Sequence, residues 1–244
     1  MYFTIIKNLI SSAMNKTARR ASQKPGKAPD AARGGRPALI SPARILEEAR
    51  GIPARELTMP VIARRLGVNP AALYYHFESR DALLAALSQQ LVSDFTLKAP
   101  DPRRWRGWLH GTLNELFRFL LANRVILEVN DWSRLPVLSL RLIESVLQTL
   151  TRAGFSGEEA LRIWVTASHL VHGTARTIHD AQGSAQTRQR ELSSLLSDLG
   201  EEAPLTRAVL EAAPGKDYLE VMNGTLGWFI DSLPAPRRSA GGAA

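Results

Sequence analysis

No cysteine occurs among the 244 residues, which excludes disulfides and thiolate metal sites and suits the reducing cytoplasm where this chain is expected to reside. No run approaches the roughly eighteen apolar residues of a membrane span. The opening "MYFTIIKNLISSA" is apolar, but Lys7 interrupts it, nothing basic precedes it, and "NKTARR" follows, which is not the layout of a secretory signal. Translation is instead expected to begin at Met14, leaving residues 1–13 as an upstream extension. Alternating strand patterns and internal repeats are also missing, so the expected class is all-α. There is no phosphate-cradling glycine loop, no HExxH, no G-x-S-x-G and no evident pair of catalytic carboxylates, so neither an enzyme nor a cofactor is expected.

Acidic residues are scarce at one end. Residues 1–44 hold nine bases (Lys7, Lys16, Arg19, Arg20, Lys24, Lys27, Arg33, Arg36 and Arg44) against Asp30 alone, and this segment carries the chain's whole formal charge of +8. A basic arm on a neutral body suits a polyanion, nucleic acid ahead of membrane because the arm has no amphipathic face. A merely solubilising tail is the other reading. Residues 14–41 are rich in Ala, Gly, Pro, Lys and Arg without a period and read as disordered.

From Ser41 the pattern is helical. Ser41 is an expected N-cap, with Pro42 at the first helical position and Ile45, Leu46 and Ala49 as the apolar stripe. Thr58 caps a second short helix that Gly67 ends, with Pro60 in its first turn and Ile62, Ala63 and Leu66 inward. A third helix is expected over about Asn69 to Phe77, and a fourth opens at Ser79. "TLKAPDPRR" then reads as a linker. Beyond it "WRGWLHGTLNELFRFLLA" and "VLSLRLIESVLQTLTRAGF" are helical, and "SGEEALRIWVTASHLVHGTARTIHDA" begins with a capping box, Ser156 and Glu159. Residues 181–190 read as a mobile loop, and "KDYLEVMNGTLGWFIDSL" as a final helix.

Two short helices separated by "GVN" form a helix-turn-helix, whose second helix lies in the major groove. On a wheel of about 100° per residue, Leu73 and Phe77 face the other helices, Ala71, Ala72 and Tyr75 face away, and Tyr74 and His76 flank. The alanines let the backbone approach the groove floor and touch thymine methyls, and Tyr75 offers a ring and a hydroxyl. Tyr74 and His76 fall where phosphates would lie, with Arg80 and the amides opening the fourth helix as a further phosphate site. An ordinary three-helix packing module is the alternative.

The stretch "LTMPVIARRLGVNPAALYYHFESRDALLAAL" resembles the DNA-binding domain of the tetracycline-repressor (TetR) family, over roughly residues 41–90. "AGFSGEEALRIWVTASHLVHGTAR" and "YLEVMNGTLGWFIDSL" are more loosely similar to that family's ligand-binding and dimerising helices. The resemblance implies four segments: a disordered basic arm, 1–40; a helix-turn-helix domain, 41–95; a ligand-binding and dimerising domain, 96–234; and a disordered tail, 235–244. It implies backbone contacts by Thr58, Tyr74, His76 and Arg80, and base-reading positions at Asn69, Pro70, Ala71, Ala72 and Tyr75. Two departures stand out: Ala72 replaces a common Thr or Ser, and Pro60 stands where some members place a basic base-reader. Arg36, in "GGRP", can lie in an adjacent minor groove, as homeodomain arms do, or the arm can act by charge alone.

All five tryptophans lie beyond the linker, where core packing is the plain account. The resemblance adds a pocket for a mostly apolar or aromatic molecule, with Trp105, Phe117, Trp132, Trp164, Ser168 and His172 as candidates. His169 and His172 stand three apart, but no nearby inward carboxylate is evident, and no metal is expected. A single recognition helix reads only a few base pairs, so a homodimer on a pseudo-palindromic double-stranded DNA operator is expected. Leu219, Met222, Leu226 and Phe229 form the expected dimer stripe, with Gly224 and Gly227 allowing close approach. The function so implied is a sequence-specific transcriptional regulator, a repressor, released from its operator by a small ligand. An architectural or ligand-independent DNA binder is the alternative.

Overall fold

Small polar side chains start the helices of the first half. Ser41 Oγ accepts from the Arg44 amide at 3.3 Å and begins α1, Pro42–Arg50. Thr58 precedes α2, Met59–Leu66, in extended conformation but makes no side-chain capping bond. Asn69 Oδ1 accepts from the Ala71 amide at 2.9 Å and opens α3, Pro70–Tyr74. Ser79 Oγ accepts from the Ala82 amide at 3.1 Å and opens α4, Arg80–Ser93. Each of these three bonds satisfies an amide that the first helical turn leaves without a partner.

The computed structural model describes residues 40–129, 137–180, 190, 193–194, 196–198, 204–212 and 218–236. Within them the chain is helical with no strand. Arg36 and the rest of the arm, Trp132, the expected loop over 181–189 and the tail beyond 236 lie outside the described residues. After α4 come α5, Trp105–Ala122, and a 3-10 helix, Arg124–Glu128. Then follow α6, Val137–Arg152; α7, Gly157–Asp180; α8, Pro204–Ala212; and α9, Tyr218–Asp231. The capping box of α7 is present: the Ser156 amide donates to the Glu159 carboxylate at 2.8 Å and the Glu159 amide to Ser156 Oγ at 3.2 Å.

The described residues divide into two compact units, one made of 40–96 with 123–129 and 137–144, the other of 97–122 with those described from 145 onward. The first unit's core joins Ile45, Ala49, Leu57, Ile62, Leu73, Phe77, Leu83, Leu84 and Leu87. Val125 of the 3-10 helix is buried in the same core, with Ile126 and Val129 packed against it. Residues 123–129 and 137–144, expected in the larger domain, thus group with the first unit.

In the second unit α5 packs on α7 and α9, and α7 on α9. Leu109, Leu113, Phe117 and Leu120 of α5 are buried, as are Ala167, Val171 and Ala175 of α7. From α9, Met222, Leu226 and Ile230 are buried. This corrects the expected dimer stripe: Met222 and Leu226 are already spent inside the chain's own core, one turn apart with Ile230. The periodicity found an apolar face correctly but could not say which helix covers it.

Candidate DNA interface and helical ligand core

Gly67 sets the turn of the helix-turn-helix. Its φ is +67°, in the left-handed region, and it lets the Val68 amide donate back to Ala63 O at 3.0 Å while the Gly67 amide reaches Arg64 O at 3.2 Å. The chain is then released directly into the Asn69 cap. At the far end, the His76 and Phe77 amides both donate to Leu73 O at 2.9 Å. One is a three-residue return and the other a four-residue return, and α3 itself stops at Tyr74 instead of running on to Phe77 as expected.

The side chains follow the wheel except at Ala72, which is expected to face away but packs against the unit's core. Leu73 and Phe77 are buried, Ala71 and Tyr74 are exposed, and Ala72 and His76 are half-buried. Tyr75 is 88% exposed, and its ring meets His76 edge-on with centroids 5.2 Å apart. Such an edge contact restrains an otherwise solvated ring. Asn69 and Pro70 are exposed beside Ala71, and Thr58 is half-buried. Asn69, read as a base contact, has its side-chain oxygen committed to capping, which leaves its amide nitrogen to donate.

Arg80 is placed differently from the expected phosphate contact. Its Nε donates to Leu57 O at 2.7 Å, its Nη2 to Ala54 O at 3.3 Å, and the same Nη2 lies 3.7 Å from Glu128 Oε2. The guanidinium is turned into the unit's own backbone. Both carbonyls and the carboxylate come from distant positions, beyond what a local residue pattern encodes.

In the second unit Trp105, Phe117 and Trp164 are buried, and Trp105 meets Phe155 edge-on at 4.9 Å. Trp108 is buried too, with its indole N–H donating to Lys98 O at 3.3 Å. Ser168 Oγ donates to Val165 O at 3.0 Å, and His172 Nδ1 stands 2.9 Å from Ser168 O. A carbonyl can only accept, so Nδ1 carries the proton and Nε2 is the acceptor of the neutral ring. Burial pushes the imidazole below its ordinary value, reinforced by the charge of His169 and partly opposed by the bond to Ser168. His169 Nδ1 is likewise 2.7 Å from Val165 O, so neither histidine offers Nδ1 to a metal. Trp228 alone of the described tryptophans is exposed, at 75%.

One residue escaped the sequence reading. Thr112, in the middle of α5, is buried, and its hydroxyl has no hydrogen-bond partner among the described residues. A helical threonine ordinarily returns its hydroxyl to a carbonyl one turn back, as Thr149 does to Ser145 O at 2.7 Å. A Thr within a Trp- and Leu-rich stripe was the only available signal.

A glycine-turned helix-turn-helix with an outward tyrosine, followed by a helical body with buried aromatics, defines a DNA-binding regulator with a separate helical domain. The chain belongs to the tetR family of bacterial regulatory proteins: that family's model matches residues 43–87, and the tetracyclin repressor-like C-terminal domain matches residues 99–221. It is similar to the class A tetracycline repressor of Escherichia coli, 29% identical over 160 residues, covering 64% of this chain and 71% of that one. The class C repressor of the same organism is 30% identical over 145 residues, covering 59% and 66%. Among solved structures, the Streptomyces coelicolor regulator ActR in complex with actinorhodin shares the fold, with a TM-score of 0.58 and 24% identity over 78% of this chain and 96% of that one.

Proposed function

We propose that the chain is a repressor that binds a two-fold operator as a homodimer and is released by a small, mostly apolar or aromatic molecule held among the helices of the second unit. The observation that carries the DNA half is Tyr75: it stands out from a short helix whose Leu73 and Phe77 are locked in the core. Tyr75, Ala71, Ala72, Pro70 and the Asn69 amide nitrogen face bases. Tyr74, His76 and Thr58 meet the backbone, and Arg36 follows the neighbouring minor groove. With two alanines at the groove floor, each base preference is softer than the roughly 1–3 kcal/mol of a bidentate pair.

Thr112 supports the effector half, because a buried hydroxyl without a partner is satisfied by a ligand's polar group. Relatives named as tetracycline repressors, and a neighbour that holds actinorhodin, support a small-molecule effector. Trp105, Phe117, Trp164, Ser168 and His172 are the other contacts proposed, while Trp132 lies outside the described residues. Dimerisation uses the outer face of α9, where Val221 and Trp228 are exposed, and of α7; Cβ atoms at Gly224 and Gly173 would meet open space, which suits close helix approach.

The test selects a duplex from a random library with the full-length protein and compares its affinity with that for random duplex at matched salt. Tyr75→Ala lowers selected binding far more than random binding. A uniform loss sinks the base-facing assignment, and equal wild-type affinities return the protein to an architectural binder.

A further inference from the structure

Arg80 stands at the first position of α4, and its strongest bond, Nε to Leu57 O at 2.7 Å, spans twenty-three residues. Those residues enclose α2, the Gly67 turn and α3. Leu57 immediately precedes Thr58, where α2 begins, so the bond joins the two ends of the helix-turn-helix. The second bond, to Ala54 O, reaches the turn before it, which the Glu56 amide closes onto Pro53 O at 2.8 Å. The Glu128 carboxylate, at 3.7 Å, adds an ion pair from the end of the 3-10 helix. A planar guanidinium with donors in a fixed fork can hold carbonyls and a carboxylate together; a lysine ammonium lacks that fork.

We propose that Arg80 serves operator recognition as a positioning residue, tying the base of the helix-turn-helix to the Ala54–Leu57 turn and to Glu128, instead of holding a DNA phosphate. The inference rests on the DNA-reading function and concerns how the reading helix is held. It carries an unusual sign for Glu128. Removing a carboxylate from a DNA-binding unit ordinarily strengthens binding by reducing repulsion. Here its removal weakens specific binding, because the tie slackens.

The test uses the full-length protein, a duplex that the wild type selects from a random library, and random duplex as control. Arg80→Ala lowers affinity for the selected duplex at least about tenfold, the scale of charged hydrogen bonds lost, with the salt slope unchanged. Arg80→Lys does not rescue it. Glu128→Gln weakens selected binding severalfold and leaves random binding unchanged. Stoichiometric titration counts competent protein, so a variant that merely unfolds loses selected and random binding together and overturns the proposal. A slope reduced by about 0.9, the mark of one lost phosphate contact, together with rescue by Arg80→Lys, overturns it as well. So does tighter binding by Glu128→Gln. If the wild type selects no duplex, the DNA-reading function itself fails, and that result is distinct from any variant behaviour.

Discussion

Asn69 Oδ1 holds the Ala71 amide at 2.9 Å, so the residue expected to read a base also starts the helix that carries the reading ring. α3 has only five residues, and a helix that short owes its existence to its cap and its packing, not to propensity. Asn69→Ala therefore costs about 1 kcal/mol of stability by urea denaturation and weakens operator binding as a consequence. Lost affinity with unchanged stability would make Asn69 a base reader and not a cap.

Gly67→Ala isolates backbone strain. A Cβ there meets no atom within 4 Å, so there is no steric clash to confuse the result, and only the φ of +67° matters. The expected destabilisation is about 1–2 kcal/mol, with Gly67→Asn costing less because asparagine tolerates the left-handed region. Denaturation midpoints of the two variants decide; equal losses would mean that something other than φ is responsible.

His172 makes stability depend on pH with a defined sign. Its folded value lies below the ordinary 6.5, so in mildly acidic solution the unfolded chain binds a proton that the folded chain refuses. Its contribution is intact above about pH 6.5 and is lost as the pH falls below that value. His172→Gln flattens this part of the profile, read as melting temperature between pH 7.5 and 5.5. A steeper profile in the variant contradicts the assignment.

Trp228, 75% exposed on α9, is the expected anchor of the dimer. Trp228→Ser weakens dimerisation by about thirtyfold or more, the scale of an interface tryptophan lost, as measured by sedimentation equilibrium. An unchanged dimer places the interface elsewhere.

Local chemistry was the legible part of this sequence. Ser41, Asn69, Ser79 and Ser156 all cap as their residue types require, and the wheel separates Leu73 and Phe77 from Tyr75 because burial on one turn of helix is a matter of angle alone. What could not be read depends on partners far along the chain. Met222 and Leu226 look available on a wheel, and only the packing of α9 on α5 reveals them as taken. Nothing in the local pattern shows that the carbonyls of Leu57 and Ala54 come within reach of Arg80.

Val125 in the core of the first unit has a consequence for how this protein can be cut and spliced. A fragment ending at Thr96 holds the whole helix-turn-helix but leaves a hole where an isoleucine–valine cap and a buried valine belong, forfeiting burial worth about 1.5–3 kcal/mol for a side chain of that size. On the ribosome, likewise, this core gains its last side chains only once the chain has passed through α5 and residues 125–129 have emerged. Chimeras that join this unit to a relative's helical body therefore keep its full core only with two grafts, one on each side of α5.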